Sequence, residues 1–81
     1  MLSGKVVVIT GGAGLIGQEF VKAVVENNGV AIIADINSIL GAEVKDRLQN
    51  ELNTENIDFV KLDITSKESL KTVIKELEGK Y

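Results

Sequence analysis

The chain has no cysteine and no histidine. Disulfides, thiolate nucleophiles, imidazole bases and Cys/His metal sites are excluded with them. Proline is absent too, so no stretch is interrupted by a residue that lacks an amide donor. Positive charge is sparse: 9 Lys and Arg stand against 12 Asp and Glu, a net charge of −3, with no basic run. A polyanion needs a concentrated positive footprint, so nucleic acid is disfavoured as a main partner. Long hydrophobic runs are also missing. The amino-terminal apolar stretch is broken by Thr10, Gly11 and Gly12 and reads as neither a secretory leader nor a membrane span. A cytoplasmic location and no membrane partner are the expectations. What is present is globular composition: 44% hydrophobic, 26% charged, and 8 glycines in 81 residues. A chain of that length holds one small domain, which buries only about 60–65% of its extended surface.

The residues fall into three strand–helix units. Val6-Val7-Val8-Ile9 is continuous and β-branched rather than alternating, the pattern of a strand covered on both faces of a parallel sheet. The spacing predicts a helix from Leu15 to Asn28, with Ile16, Phe20, Val21, Val24 and Val25 on its apolar side and Gly29 as a left-handed cap. Val30 to Ala34, ending at Asp35, forms a second buried strand. A second helix is expected over Ser38 to Leu52, where Leu40, Val44, Leu48 and Leu52 recur every four residues. Ile57 to Leu62 is a third strand, and its less apolar start suits a sheet edge. Thr65 and Glu68 fit a capping box before a third helix, whose apolar face is Leu70, Val73, Ile74 and Leu77. Connections of this length are crossovers, which makes the strands parallel, joined right-handed, in the order 3-2-1.

The informative motif is Thr10-Gly11-Gly12-Ala13-Gly14-Leu15-Ile16-Gly17, placed between a predicted strand and a predicted helix. It contains Gly12-x-Gly14-x-x-Gly17. In this pattern Gly12 permits a tight turn, Gly14 lets a pyrophosphate approach the backbone, and Gly17 lets the helix pack closely on the strand. Amides at the helix start then face the phosphate charge. Asp35 stands 18 residues beyond Gly17, at the end of the second strand. Its carboxylate can accept from both ribose hydroxyls of an adenosine and would repel a 2′-phosphate. No Lys or Arg follows at Ile36, Asn37 or Ser38 to offset that repulsion, so NAD is favoured over NADP. The bland alternatives are a glycine-rich turn that binds nothing and an aspartate that only caps a turn.

Together these residues resemble the start of a short-chain dehydrogenase/reductase, over essentially the whole chain. Gly4-Lys5-Val6-Val7-Val8-Ile9-Thr10-Gly11 matches the family's opening pattern. The glycine spacing Thr10-Gly11-x-x-Gly14-x-x-Gly17 resembles the extended, epimerase-like subgroup, whereas the opening and Leu62-Asp63-Ile64-Thr65 are equally at home in the classical one. The resemblance implies an α/β fold, a partial Rossmann fold with a three-stranded parallel sheet and crossover helices. It implies that residues 1–81 are the amino-terminal part of a dinucleotide-binding domain, truncated here. The cofactor-binding residues it implies are Gly11, Gly14, Leu15, Ile16 and Gly17 around the phosphates, Asp35 and Ile36 on the adenosine side, and Asp63 and Ile64 at the adenine. For Asp63 the alternative is a turn residue leading into the third helix.

In relatives a Tyr-x-x-x-Lys pair relays the proton, and no Lys follows Tyr81 in this sequence. The resemblance therefore implies a catalytically inactive segment of an NAD-dependent oxidoreductase that acts on a small-molecule substrate. The alternatives are an NAD-dependent sugar epimerase or dehydratase of the extended subgroup and a non-catalytic nucleotide-binding module. With the neighbouring strand missing, Val6 to Ile9 form an exposed sheet edge, and self-association through it is expected.

Overall fold

The computed structural model describes residues 3–81. In chain order the elements are β1 (Val6–Thr10), α1 (Leu15–Glu26), β2 (Val30–Asp35), α2 (Ser38–Leu52), β3 (Ile57–Lys61) and α3 (Lys67–Lys80). The strands form one parallel sheet with β2 in the middle and β1 and β3 at its edges. Val6 aligns with Val30 and Thr10 with Ala34, while Ala31 aligns with Ile57 and Asp35 with Lys61. The expected α/β architecture and strand order are therefore what the chain adopts.

Period-two alternation divides β2 between two layers. Ala31 and Ile33 join Ile9, Val21, Val24, Val44, Leu48 and Ile57 in the main core, beneath α1 and α2. Ala34 faces the other way and packs with Leu62 and Val73, so α3 covers the opposite side of the sheet. The continuous apolar run of β2 follows from this two-sided burial.

The helix faces depart from the expected ones by one position in places. In α1 the buried residues are Gly17, Val21 and Val24, whereas Ile16 and Phe20 are 77% and 60% exposed. These two side chains lie on the flank opposite Gln18 and Lys22, the residues of α1 that meet α2. In α2 the buried line is Gly41, Val44 and Leu48, and Leu40 is exposed. Gly41 belongs to that line because the Phe59 ring occupies the space of a side chain: a Cβ on Gly41 would lie 2.0 Å from Phe59 Cε1. In α3 Val73 is buried, while Leu70 and Ile74 are exposed.

Two caps also differ. Helix α1 ends at Glu26, and the left-handed residue is Asn28 (φ 67°), not Gly29. The Gly29 amide donates to Val24 O and the Asn28 amide to Val25 O, both at 2.9 Å, which is the paired closure of a Schellman motif. The third helix is capped by Ser66, whose Oγ accepts from the Ser69 amide at 3.1 Å. Thr65 does not form a capping box with Glu68, because its hydroxyl and amide both bind Asp63.

Candidate functional site

The carboxyl ends of the three strands open onto a cleft of about 430 Å³. In open α/β sheets this is where ligands bind. Gly11, Asp35, Ile36, Asp63, Ile64 and Thr65 are among its lining residues, so five of the nine residues expected from sequence meet there. The other four, Gly14, Leu15, Ile16 and Gly17, form the turn into α1 beside it.

The glycine roles are redistributed. The tight turn is made by Gly11, which has φ +68° and whose amide donates to Ala34 O at 2.7 Å. Gly12 has an ordinary φ and is glycine for lack of room: a Cβ there would lie 2.9 Å from Ile9 O and 3.0 Å from Ile33 Cγ2. A Cβ on Gly17 would lie 2.4 Å from Gly11 O and 2.7 Å from Gly12 Cα. The helix therefore packs closely on the turn itself rather than on the strand. Around Gly14 nothing comes nearer than Gly11 O at 3.4 Å, which leaves its outer side open to an approaching group.

Gly14 is the N-cap of α1, and no side chain caps this helix end. No acidic residue occupies its first turn either. The amides of Leu15 and Ile16 have no acceptor within the helix, and the helix dipole places partial positive charge among them. The side chains of Leu15 and Ile16 point into solvent, so their contribution at this turn is their backbone.

Asp35 faces the turn from β2. Its Oδ2 accepts from the Ala13 amide at 3.3 Å and its Oδ1 from the Asn37 amide at 3.1 Å. The carboxylate is thus aimed by backbone on two sides, and its remaining lone pairs are available in the cleft. Asp63 is held in the same way at the end of the neighbouring connection. Its Oδ1 accepts from the Thr65 hydroxyl at 2.6 Å and the Thr65 amide at 2.9 Å. Those two bonds hold its carboxyl below the ordinary value. Ile36 and Ile64, each directly after one of these aspartates, are exposed apolar surfaces at the cleft.

Sequence reasoning did not place Thr65 or Gln18 in the site. The signal for Thr65 was the Asp63-x-Thr65 spacing of an Asx turn. Gln18, whose Nε2 donates to Ala13 O at 3.0 Å, carries no signal in the hydrophobic pattern. Tyr81 lies at the opposite end of the sheet, with its hydroxyl 3.2 Å from Asp58 Oδ2.

Comparison with known proteins agrees with the fold. The family model described as short chain dehydrogenase matches residues 5–81. Post-translational flagellin modification protein A of Campylobacter coli is 41% identical over 81 residues, covering 100% of this chain and 31% of its own length. Among solved structures, menthone neomenthol reductase from Mentha piperita superposes with a TM-score of 0.89 at 25% identity, covering 95% of this chain and 28% of its own. Two more distant structures with the same fold, both at 20% identity and with TM-scores of 0.85 and 0.84, are complexes with NADP and NADH respectively. The chain thus spans about a third of the length of such relatives. The epimerase alternative is not favoured by these matches.

Proposed function

Because the chain belongs to the short-chain dehydrogenase/reductase family, we propose that it is the NAD-binding portion of an oxidoreductase: the first three strand–helix units of a larger Rossmann domain. Asp35 carries the reading. It stands at the carboxyl end of the central strand and is aimed by the Ala13 and Asn37 amides. It shares a cleft with Asp63 and with no basic lining residue. The chain's own chemistry fits a dinucleotide: uncapped first-turn amides at Leu15 and Ile16 for the diphosphate, an open backbone at Gly14, Asp35 for the ribose hydroxyls, and Asp63 with Ile64 for the adenine edge and face. Gly11 and Gly17 shape the turn, and Ile36 covers the adenosine. A 2′-phosphate would bring added negative charge to two carboxylates, which favours NAD over NADP.

The bound dinucleotide supplies the hydride chemistry of such enzymes. The residues of this chain hold and orient its adenosine diphosphate half, and by themselves they reduce no substrate. The small-molecule substrate and the proton relay belong to the remainder of the parent enzyme, for which we infer a cytoplasmic location. The unpaired edge of β1 gives the isolated chain a route to self-association.

Calorimetric titration of the folded chain with NAD and NADP tests the reading. NAD binding at roughly millimolar affinity or better, about −4 kcal/mol, with NADP weaker, is the expected result. NADP binding as tight as NAD would overturn the role of Asp35, and a folded chain that binds neither would overturn the cradle.

A further inference from the structure

Gln18 directly follows the last glycine of the motif, one helical turn past Gly14, and its side chain reaches back to the turn. Its Nε2 donates to the Ala13 carbonyl at 3.0 Å. The Gly14 amide, in the same peptide group, donates to Gly11 O at 3.0 Å. The Ala13–Gly14 peptide is therefore fixed on both sides, and the preceding peptide is fixed by the bond from the Ala13 amide to Asp35. On its other side Gln18 Oε1 accepts from Arg47 Nη2 on α2. Arg47 Nη1 in turn donates to Glu51 Oε2 at 3.3 Å.

This arrangement determines the orientation of the Gln18 amide. Arg47 offers only donors, so it must face Oε1; the Ala13 carbonyl only accepts, so it must face Nε2. A flipped amide would lose both bonds. With the bond to Ala13 lost, that peptide is held only by the bond from the Gly14 amide to Gly11 O, and its carbonyl can turn more readily. A rotated carbonyl would place partial negative charge beside the amides of Leu15 and Ile16, where an anion would bind.

We propose that Gln18 is a positioning residue for the diphosphate-binding turn, and that Arg47 reaches this turn from α2 by orienting Gln18 rather than through its own charge. The proposal rests on the dinucleotide reading of the site and adds α2 to the elements that tune it.

The test compares ADP with adenosine, which lacks the diphosphate, as ligands of the chain and of its Gln18→Met, Arg47→Met and doubly substituted variants. Methionine keeps the length of the glutamine side chain and most of the arginine stem, and removes the hydrogen bonds of either. Gln18→Met is expected to weaken ADP binding about 3- to 10-fold, the worth of one ordinary hydrogen bond, with adenosine changed less than about twofold. Arg47→Met is expected to weaken ADP by a smaller factor and to add nothing in the Gln18→Met background. In the ligand-free variant the Gly14 amide resonance should shift while those of α2 stay in place. Unchanged ADP affinity in Gln18→Met, or equal losses for ADP and adenosine, would overturn the positioning role. Additive losses in the double variant would show Arg47 acting as a charge and overturn the relay. A wild-type chain that binds neither ligand would instead remove the site reading, and with it the proposal.

Discussion

Three aspartates sit on or beside the sheet, two at one end and one at the other, and they are treated differently. Asp35 and Asp63, at the carboxyl end, are oriented by backbone amides and a hydroxyl and have no cationic partner among the described residues. Asp58, near the amino-terminal end of β3, is fully engaged. It accepts from the Phe59 amide at 2.8 Å, from Lys80 and from the Tyr81 hydroxyl. Burial pushes its carboxyl up, but Lys80, the Phe59 amide and Tyr81 together outweigh that and leave it below the ordinary 3.8. The same pairing raises Lys80. The Asp58 end is a latch, joining the end of α3 to an edge strand. The Asp35 end has the same type of side chain, held without a counter-charge, and can therefore still accept from a ligand.

The most damaging way to break this contrast is to spoil the turn that Asp35 faces. Gly17→Ala would place a Cβ against backbone atoms of Gly11 and Gly12, which cannot move aside as a flexible side chain can. A loss of about 2–4 kcal/mol in denaturant unfolding is expected, with loss of NAD binding. Asp35→Ala should come next, weakening NAD about 10-fold or more by removing bonds from two hydroxyls to a charged acceptor. It should also narrow the preference over NADP, read by parallel titration. Val8→Lys probes the β1 edge, where Val8 is 42% exposed. Charge there should abolish concentration-dependent association in sedimentation while leaving the monomer folded.

The smallest effect is expected at the latch. Asp58→Asn should lower the thermal midpoint by about 2 °C or less at neutral pH, because an exposed pair contributes little. Its pH signature is more specific. A depressed carboxyl contributes stability above its unfolded value of 3.8, and that stability is lost as pH falls through the lower folded value. The raised Lys80 contributes below 10.5 and loses its share as pH rises past its folded value. Asp58→Asn should therefore flatten the acid limb of the stability profile measured by thermal melts.

Much of the site was legible in the sequence because its chemistry is local. The Gly11–Gly17 turn, Asp35 after a β-branched run and Asp63 after another can each be read from a few neighbouring residues. The individual glycine roles were less legible. Whether Gly11 or Gly12 takes the positive φ depends on which carbonyl the turn must approach, and that carbonyl belongs to β2. The helix faces show the same limit. The helical period in α2 admits both Leu40, four residues before Val44, and Gly41, three before it, until Phe59 on β3 takes the space beside one of them.

Local sequence alone determined the alternation of strands and helices, the parallel sheet and the position of the glycine turn, because period, glycine spacing and β-branching act within a few residues. Tertiary structure decided which apolar residues are covered, which cap closes each helix and which aspartates remain free to accept from a ligand. Those outcomes depend on pairs far apart in the chain. Asp58 is taken by Lys80 and Tyr81 because α3 folds back across the sheet to reach it. Asp35 keeps its place facing the glycine turn because the Ala13 amide, 22 residues away, meets it there.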